Sequence, residues 1–207
     1  MIRRIVLWAW RDEATAEQKL RAKEGLAYIW FASGVDGMDF GEDLGIGPTT
    51  NYGLAMERDH VDRASWDAYN DDPHHDRVGG YIDTITFMER TARIDYDHVG
   101  PDGVRGGVRH VAMYTWSDDA ARDDRTATQG DVRSRIQGSP GVRAVTIGDD
   151  LGWRDGHADW VVEAHFDDVD AFIAYRDGPA ARDVAARLAS VTVAERQAQI
   201  QHRIRMG

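Results

Sequence analysis

The chain has 207 residues, 42% of them hydrophobic, with 25 basic against 36 acidic side chains, a net charge of −11 and no cysteine. The apolar fraction is enough to bury a core. The charge balance excludes a duplex nucleic-acid binder, which needs a basic face, and disfavours an anionic membrane surface, while the missing cysteines exclude disulfides, thiolate nucleophiles and cysteine-ligated metals.

In chain order, the apolar run after Met1 is too short for a signal peptide, and Arg11-Asp12-Glu13 stands where a cleavage site would be. No stretch reaches the ~18 apolar residues of a membrane helix, so the reading is a cytoplasmic protein opening on a strand, Ile5–Trp10. Thr15-Ala16-Glu17-Gln18 has capping-box spacing and predicts a helix to about Trp30. Short strands are expected at Met38–Phe40 and Tyr52–Met56, and a second helix at Asp62–Tyr69, stopped by Pro73. A short helical stretch follows the proline, and Ala92–Tyr96 is a last strand. The second half gives the same order: His110–Trp116, Val145–Ile147, Trp160–Ala164, Asp168–Tyr175 and Gln199–Arg203.

The two halves are copies. Arg4–Trp10 aligns with His110–Trp116 at an offset of 106, and Gly41-Glu42-Asp43-Leu44-Gly45 aligns with Gly148-Asp149-Asp150-Leu151-Gly152 at 107. Tyr69 through Pro73 matches Tyr175 through Pro179, and Glu89–Ile94 matches Glu195–Ile200, both at 106. Four blocks in one order define an internal repeat. The domains are therefore 1–98 and 108–207, joined by a Gly/Pro linker at 99–107. Each reads strand, helix, strand, strand, helix, strand, the ferredoxin-like βαββαβ plan. The fold class is α+β, with each sheet's bare face needing cover and the second copy as its natural partner.

The opening strand, the Gly-x-Asp-Leu-Gly block and the end of the second helix resemble the stress-responsive dimeric α/β-barrel (Dabb) family. The resemblance spans nearly the whole chain. It implies two sheets closing into a barrel, within this chain or in a homodimer. The family includes stress and assembly proteins, and a plant polyketide cyclase that works without metal or cofactor. That enzyme's site has a first-strand His, a third-strand His, a second-helix Tyr and a loop His. Carried over, these fall in the first repeat on Arg4, about Leu54, Tyr69 and His75, and in the second on His110, about Trp160, Tyr175 and Ala181.

Tyr69 and His75 are the leading catalytic pair, with His110 and Tyr175 a second candidate pair. A histidine with pKa near 6.5 exchanges protons at neutral pH, and a phenol can stabilise an enolate. Their bland readings are a helix-end core tyrosine, a solvated loop histidine and a buried neutral His110. Asp72, His74 and Asp76 are weak metal candidates, since loop neighbours seldom converge on one ion. Trp8, Trp10, Trp30, Tyr52 and Trp66 are candidate walls of a pocket for an aromatic molecule, or simply core. No phosphate loop, nucleophile elbow or zinc helix is present in the sequence. Two functional readings follow: a cofactor-independent cyclase, lyase or isomerase acting on a small molecule, or a non-catalytic stress or ligand-binding barrel. A monooxygenase-like variant is a further alternative.

Overall fold

The computed structural model describes residues 1–32, 37–48, 51–99, 106–156 and 158–204, the side chains of 30–32 excepted. Most of the expected linker therefore lies outside the described residues. The first half runs β1 (Ile2–Trp8), α1 (Ala16–Ala32), β2 (Gly37–Glu42), β3 (Leu54–His60), α2 (Arg63–Asn70), α3 (Pro73–Thr84) and β4 (Ala92–Asp97). The second repeats it as β5 (Val108–Tyr114), α4 (Arg122–Gln137), β6 (Val142–Asp149), β7 (Trp160–Phe166), α5 (Val169–Asp177), α6 (Pro179–Ala189) and β8 (Ala198–Arg203).

Local chemistry sets the boundaries. At the start of α1, Gln18 N donates to Thr15 Oγ1 and Thr15 N to Gln18 Oε1, the reciprocal cap expected from the spacing. Asp62 caps α2 by accepting from Ser65 N, and Asp168 caps α5 by accepting from Ala171 N. Pro73 and Pro179 open α3 and α6, where a missing N–H costs nothing.

Two antiparallel sheets result, with strand orders β2-β3-β1-β4 and β6-β7-β5-β8. They close on each other at two seams. At one, Leu44 N and Tyr52 N donate to the carbonyls of Gln201 and Gln199. At the other, Leu151 N and Ala158 N donate to the carbonyls of Asp95 and Arg93. The Gly-x-Asp-Leu-Gly block serves these seams. Gly45 and Gly152 take left-handed φ of 66° and 67°, and a Cβ on Gly148 would stand 1.9 Å from the Tyr96 ring of the other repeat. Gly148→Ala is expected to cost about 1–3 kcal/mol through this overpacking, read from the denaturation midpoint.

β1 is buried along its whole length because it has protein on both faces. This corrects its expected start at Ile5: the strand begins at Ile2 and takes in Arg3 and Arg4. It also ends at Trp8, with Trp10 reduced to an isolated bridge to Thr86. Ile5, Leu7, Ile94, Val111, Met113 and Ile200 pack between the sheets. Val6, Trp8 and Met56 face α1 and α3, and the second repeat's helices pack on their own sheet around Trp160 and Phe166.

The barrel interior also holds a buried ionic cluster. Arg3 binds Asp59 through Nε and Nη2 at 2.6 and 2.7 Å, and reaches Glu163 of the other repeat through Nη1 at 3.1 Å. Arg109, the pseudo-equivalent of Arg3, lies 3.2 Å from Glu57 and 3.7 Å from Glu163. His202 Nε2 is 2.8 Å from Glu57, and Tyr96 donates its hydroxyl to Glu163. Both glutamates are held below the usual carboxylate range: buried without partners they would rise, but cations around each reverse this, His202 and Arg109 at Glu57, Arg3 and Arg109 at Glu163.

Candidate functional site

Between each sheet and its helices lies a cavity. The first has a volume of about 490 Å³ and is walled by Arg4, Val6 and Trp8 of β1, Met56 of β3, Tyr69 at the end of α2, and His75 in the first turn of α3. The break between α2 and α3 puts Tyr69 and His75 side by side, ring centres 4.3 Å apart. Arg154, Asp155 and Gly156 of the other repeat complete the wall. They belong to the β6–β7 connection, which is pinned by Trp153 against Trp66 and by Arg154 donating to Asn70.

Burial sets the electrostatics. Desolvation raises the Tyr69 phenol, with Arg58 and Arg4 pulling the other way. Desolvation lowers the His75 imidazole, and Arg4 lowers it further. At neutral pH, Tyr69 is therefore a proton donor and His75 an uncharged acceptor. Arg4 is held by Asp95 at 2.9 Å, and Trp66 Nε1 donates to the same carboxylate at 2.9 Å. The Arg58 guanidinium stacks 3.6 Å from the centre of the Tyr69 ring. His60, its ring centre 5.4 Å from that of Tyr69, falls to about 4 through burial and the neighbouring Arg58 and Arg4. An anion forming beside Tyr69 would meet the fields of two buried guanidinium groups.

The predicted residues separate. Trp8, Tyr69 and His75 share the first cavity, while His110 and Tyr175 share another of about 360 Å³ in the second repeat. Trp10, Tyr52 and Trp66 lie outside the first cavity's wall: Tyr52 packs on the barrel interior, and Trp66 is buried against Asp95. The Trp30 side chain lies outside the described residues. The weak metal candidates do not converge. Asp72 is spent capping α3, the His74 ring packs edge-on against Tyr28, and Asp76 stands 3.7 Å from His75. Instead, Asp39, Glu57 and His202 bring ligand atoms within 4.8 Å of one another inside the barrel. Arg109 lies 3.2 Å from Glu57 and 3.6 Å from Asp39, so a guanidinium already supplies the charge a cation would bring.

Arg58, His60 and Asp95 escaped the sequence reading. The signal for Arg58 and His60 is the alternation Leu54, Met56, Arg58, His60 along β3, which sends every second side chain to the helix face, whereas Asp95 on β4 is revealed only by its pairing opposite Arg4. The polar end of that stripe lies beyond the strand expected at Tyr52–Met56.

Both halves match the model of the stress responsive A/B barrel domain, over residues 2–97 and 108–198. No curated protein matches the chain. Among solved structures, an anthrone oxidase-like protein is 14% identical with a TM-score of 0.72, covering 98% of this chain and 90% of its own. A candidate monooxygenase from Lactobacillus acidophilus NCFM is 12% identical with a TM-score of 0.56, covering 99% and 93%. A second candidate monooxygenase, from Fusobacterium nucleatum, is 10% identical with a TM-score of 0.57, covering 99% and 91%. At these identities the likeness is one of fold. Among the described residues no helix is long and apolar enough to cross a membrane.

Proposed function

The chain belongs to the stress responsive A/B barrel domain family, with two copies of the domain in one polypeptide, and from that premise we propose that the first repeat's cavity carries a cofactor-independent proton transfer. The reaction class is cyclase, lyase or isomerase, on a small aromatic or polyketide-like molecule. The observation that carries this reading is the Tyr69–His75 pair, rings 4.3 Å apart in one wall. Neutral His75 removes a proton alpha to a carbonyl. Tyr69 donates a hydrogen bond to the enolate oxygen, and the Arg4 and Arg58 charges stabilise the anion. Asp95 keeps Arg4 in place.

The test is deuterium uptake at the acidic C–H of benzoylacetone, a β-diketone probe, in heavy water. The protein is expected to accelerate uptake, His75→Ala to reduce the catalysed rate roughly a hundredfold, and Tyr69→Phe less. The rate should fall on the acid side with an apparent pKa below the usual histidine value of about 6.5, because the base must be unprotonated and its burial favours that form. No acceleration, or acceleration indifferent to His75→Ala, would leave the non-catalytic barrel as the better reading. An oxygenase would begin with the same abstraction, so oxygen consumption in step with probe loss would assign the cavity to the monooxygenase-like class.

A further inference from the structure

The duplicated cavities have diverged in charge. Arg4, Arg58, His75 and Arg93 of the first repeat correspond to His110, Ala164, Ala181 and Gln199 of the second. The buried ion pair of Arg4 with Asp95 becomes a neutral hydrogen bond, His110 with Gln201, at 2.8 Å. Among the described residues, the first cavity's wall carries six charged groups, three arginines and three aspartates. Among the described residues, the second's carries Arg176 alone, which is exposed and engaged. Its Nε and Nη2 bind the Asp177 carboxylate at 2.7 and 2.8 Å, and its Nη1 donates to the Ile46 carbonyl. The rest is uncharged at neutral pH: Tyr114, Phe172, Tyr175, Val184 and Leu188 form its apolar part, and Thr192, Gln197 and Gln199 join His110 as its polar part.

A relay from the first repeat fixes the polarity of His110. The Asp43 carboxylate can only accept, so Asn51 Nδ2 donates to it, at 3.1 Å. The same amide nitrogen donates to Gln201 Oε1 at 2.6 Å, which leaves Gln201 Nε2 as the donor to His110 Nδ1. The proton of the neutral ring therefore sits on Nε2. Burial alone pushes His110 down to about 4, so the ring stays uncharged at neutral pH. The same burial raises the Tyr175 phenol to about 12, which keeps it protonated.

We propose that the second repeat's cavity is a separate binding site for an uncharged aromatic molecule bearing one carbonyl-type acceptor, held by the His110 Nε2–H and the Tyr175 hydroxyl. Its volume of about 360 Å³ suits a two-ring compound. A carboxylate would lose its hydration there without gaining a free cation.

The probes are 2-acetylnaphthalene and its isosteric carboxylate, 2-naphthoate, titrated calorimetrically into the full chain. The ketone is expected to bind, with naphthoate at least about tenfold weaker at this site. Ala181→Trp fills the cavity at the position of His75 and should weaken the ketone at least about tenfold. Gly79→Leu narrows the first cavity, where a Cβ meets open space, and should leave the ketone unaffected. Should Ala181→Trp fail to fold, Ala185→Phe at the exposed mouth repeats the test. Absence of ketone binding at millimolar concentration overturns the proposal. So does equal affinity for naphthoate, ketone binding that survives the second-cavity substitutions, or ketone binding lost in Gly79→Leu.

Discussion

Glu163→Ala is expected to destabilise the protein by about 3–5 kcal/mol, the range for removing one partner of a buried ion pair. Glu163 is 1% exposed, and its carboxylate serves Arg3, Arg109 and the Tyr96 hydroxyl. The substitution leaves two guanidinium groups inside the barrel with less anion to hold them, and desolvation that was offset becomes uncompensated. The loss is a fifth or more of the ~5–15 kcal/mol that holds most domains. Glu57→Ala, the pseudo-equivalent change, should fall in the same range, since it strips His202 and Arg109. Asp67→Ala sets the scale, because the Arg63 guanidinium also stacks on Trp66 and Trp153 and is left in place by this change. Its pair with Arg63 is half exposed on both sides, and solvent screening limits it to under about 1 kcal/mol. Urea midpoints on the three variants check the ordering, and a small effect for both glutamates would mean the interior cluster does not hold the sheets together.

Mild acid is expected to unfold the protein early. His60, His110 and His165 are each pushed from 6.5 down to about 4, chiefly by burial. Between those values the unfolded chain binds protons that the native one refuses, so stability falls as pH falls. Asp39 works the other way. Burial and the Glu57 charge raise it to about 6, so the native state takes up that proton first. For these four groups the balance near pH 5 is roughly two protons gained on unfolding, a slope of about 3 kcal/mol per pH unit. The contribution of the three histidines is complete above pH 6.5 and is lost by about pH 4. Denaturation midpoints measured across this window test it, and a flat profile would mean that these rings titrate as if exposed. His110→Gln should remove about a third of the histidine part, since that ring owes its shift to burial alone.

The repeat, its βαββαβ order and the helix caps were legible in the sequence because each depends on neighbours: a capping residue, a proline, an alternation of a few positions. The Tyr69–His75 pairing was legible too, since only a short helix break separates them. The ionic interior was not. Arg3 and Arg4 fell ahead of the strand expected from Ile5, because their partners, Glu163 and Asp95, are distant in the chain and only the closed sheet brings them near. The side of β1 that faces the barrel could not be chosen from alternation alone. It is the Ile5–Leu7 side, and Trp8 turns to the helices instead.

Both seams join strands that a peptide tether keeps on the same molecule. Two separate half-barrels would part as they were thinned out, since their association depends on how many are in solution. Here each half meets its mate at an effective concentration set by the connector. The melting midpoint of this barrel is therefore expected to hold steady over a hundredfold dilution series, checked by scanning fluorimetry.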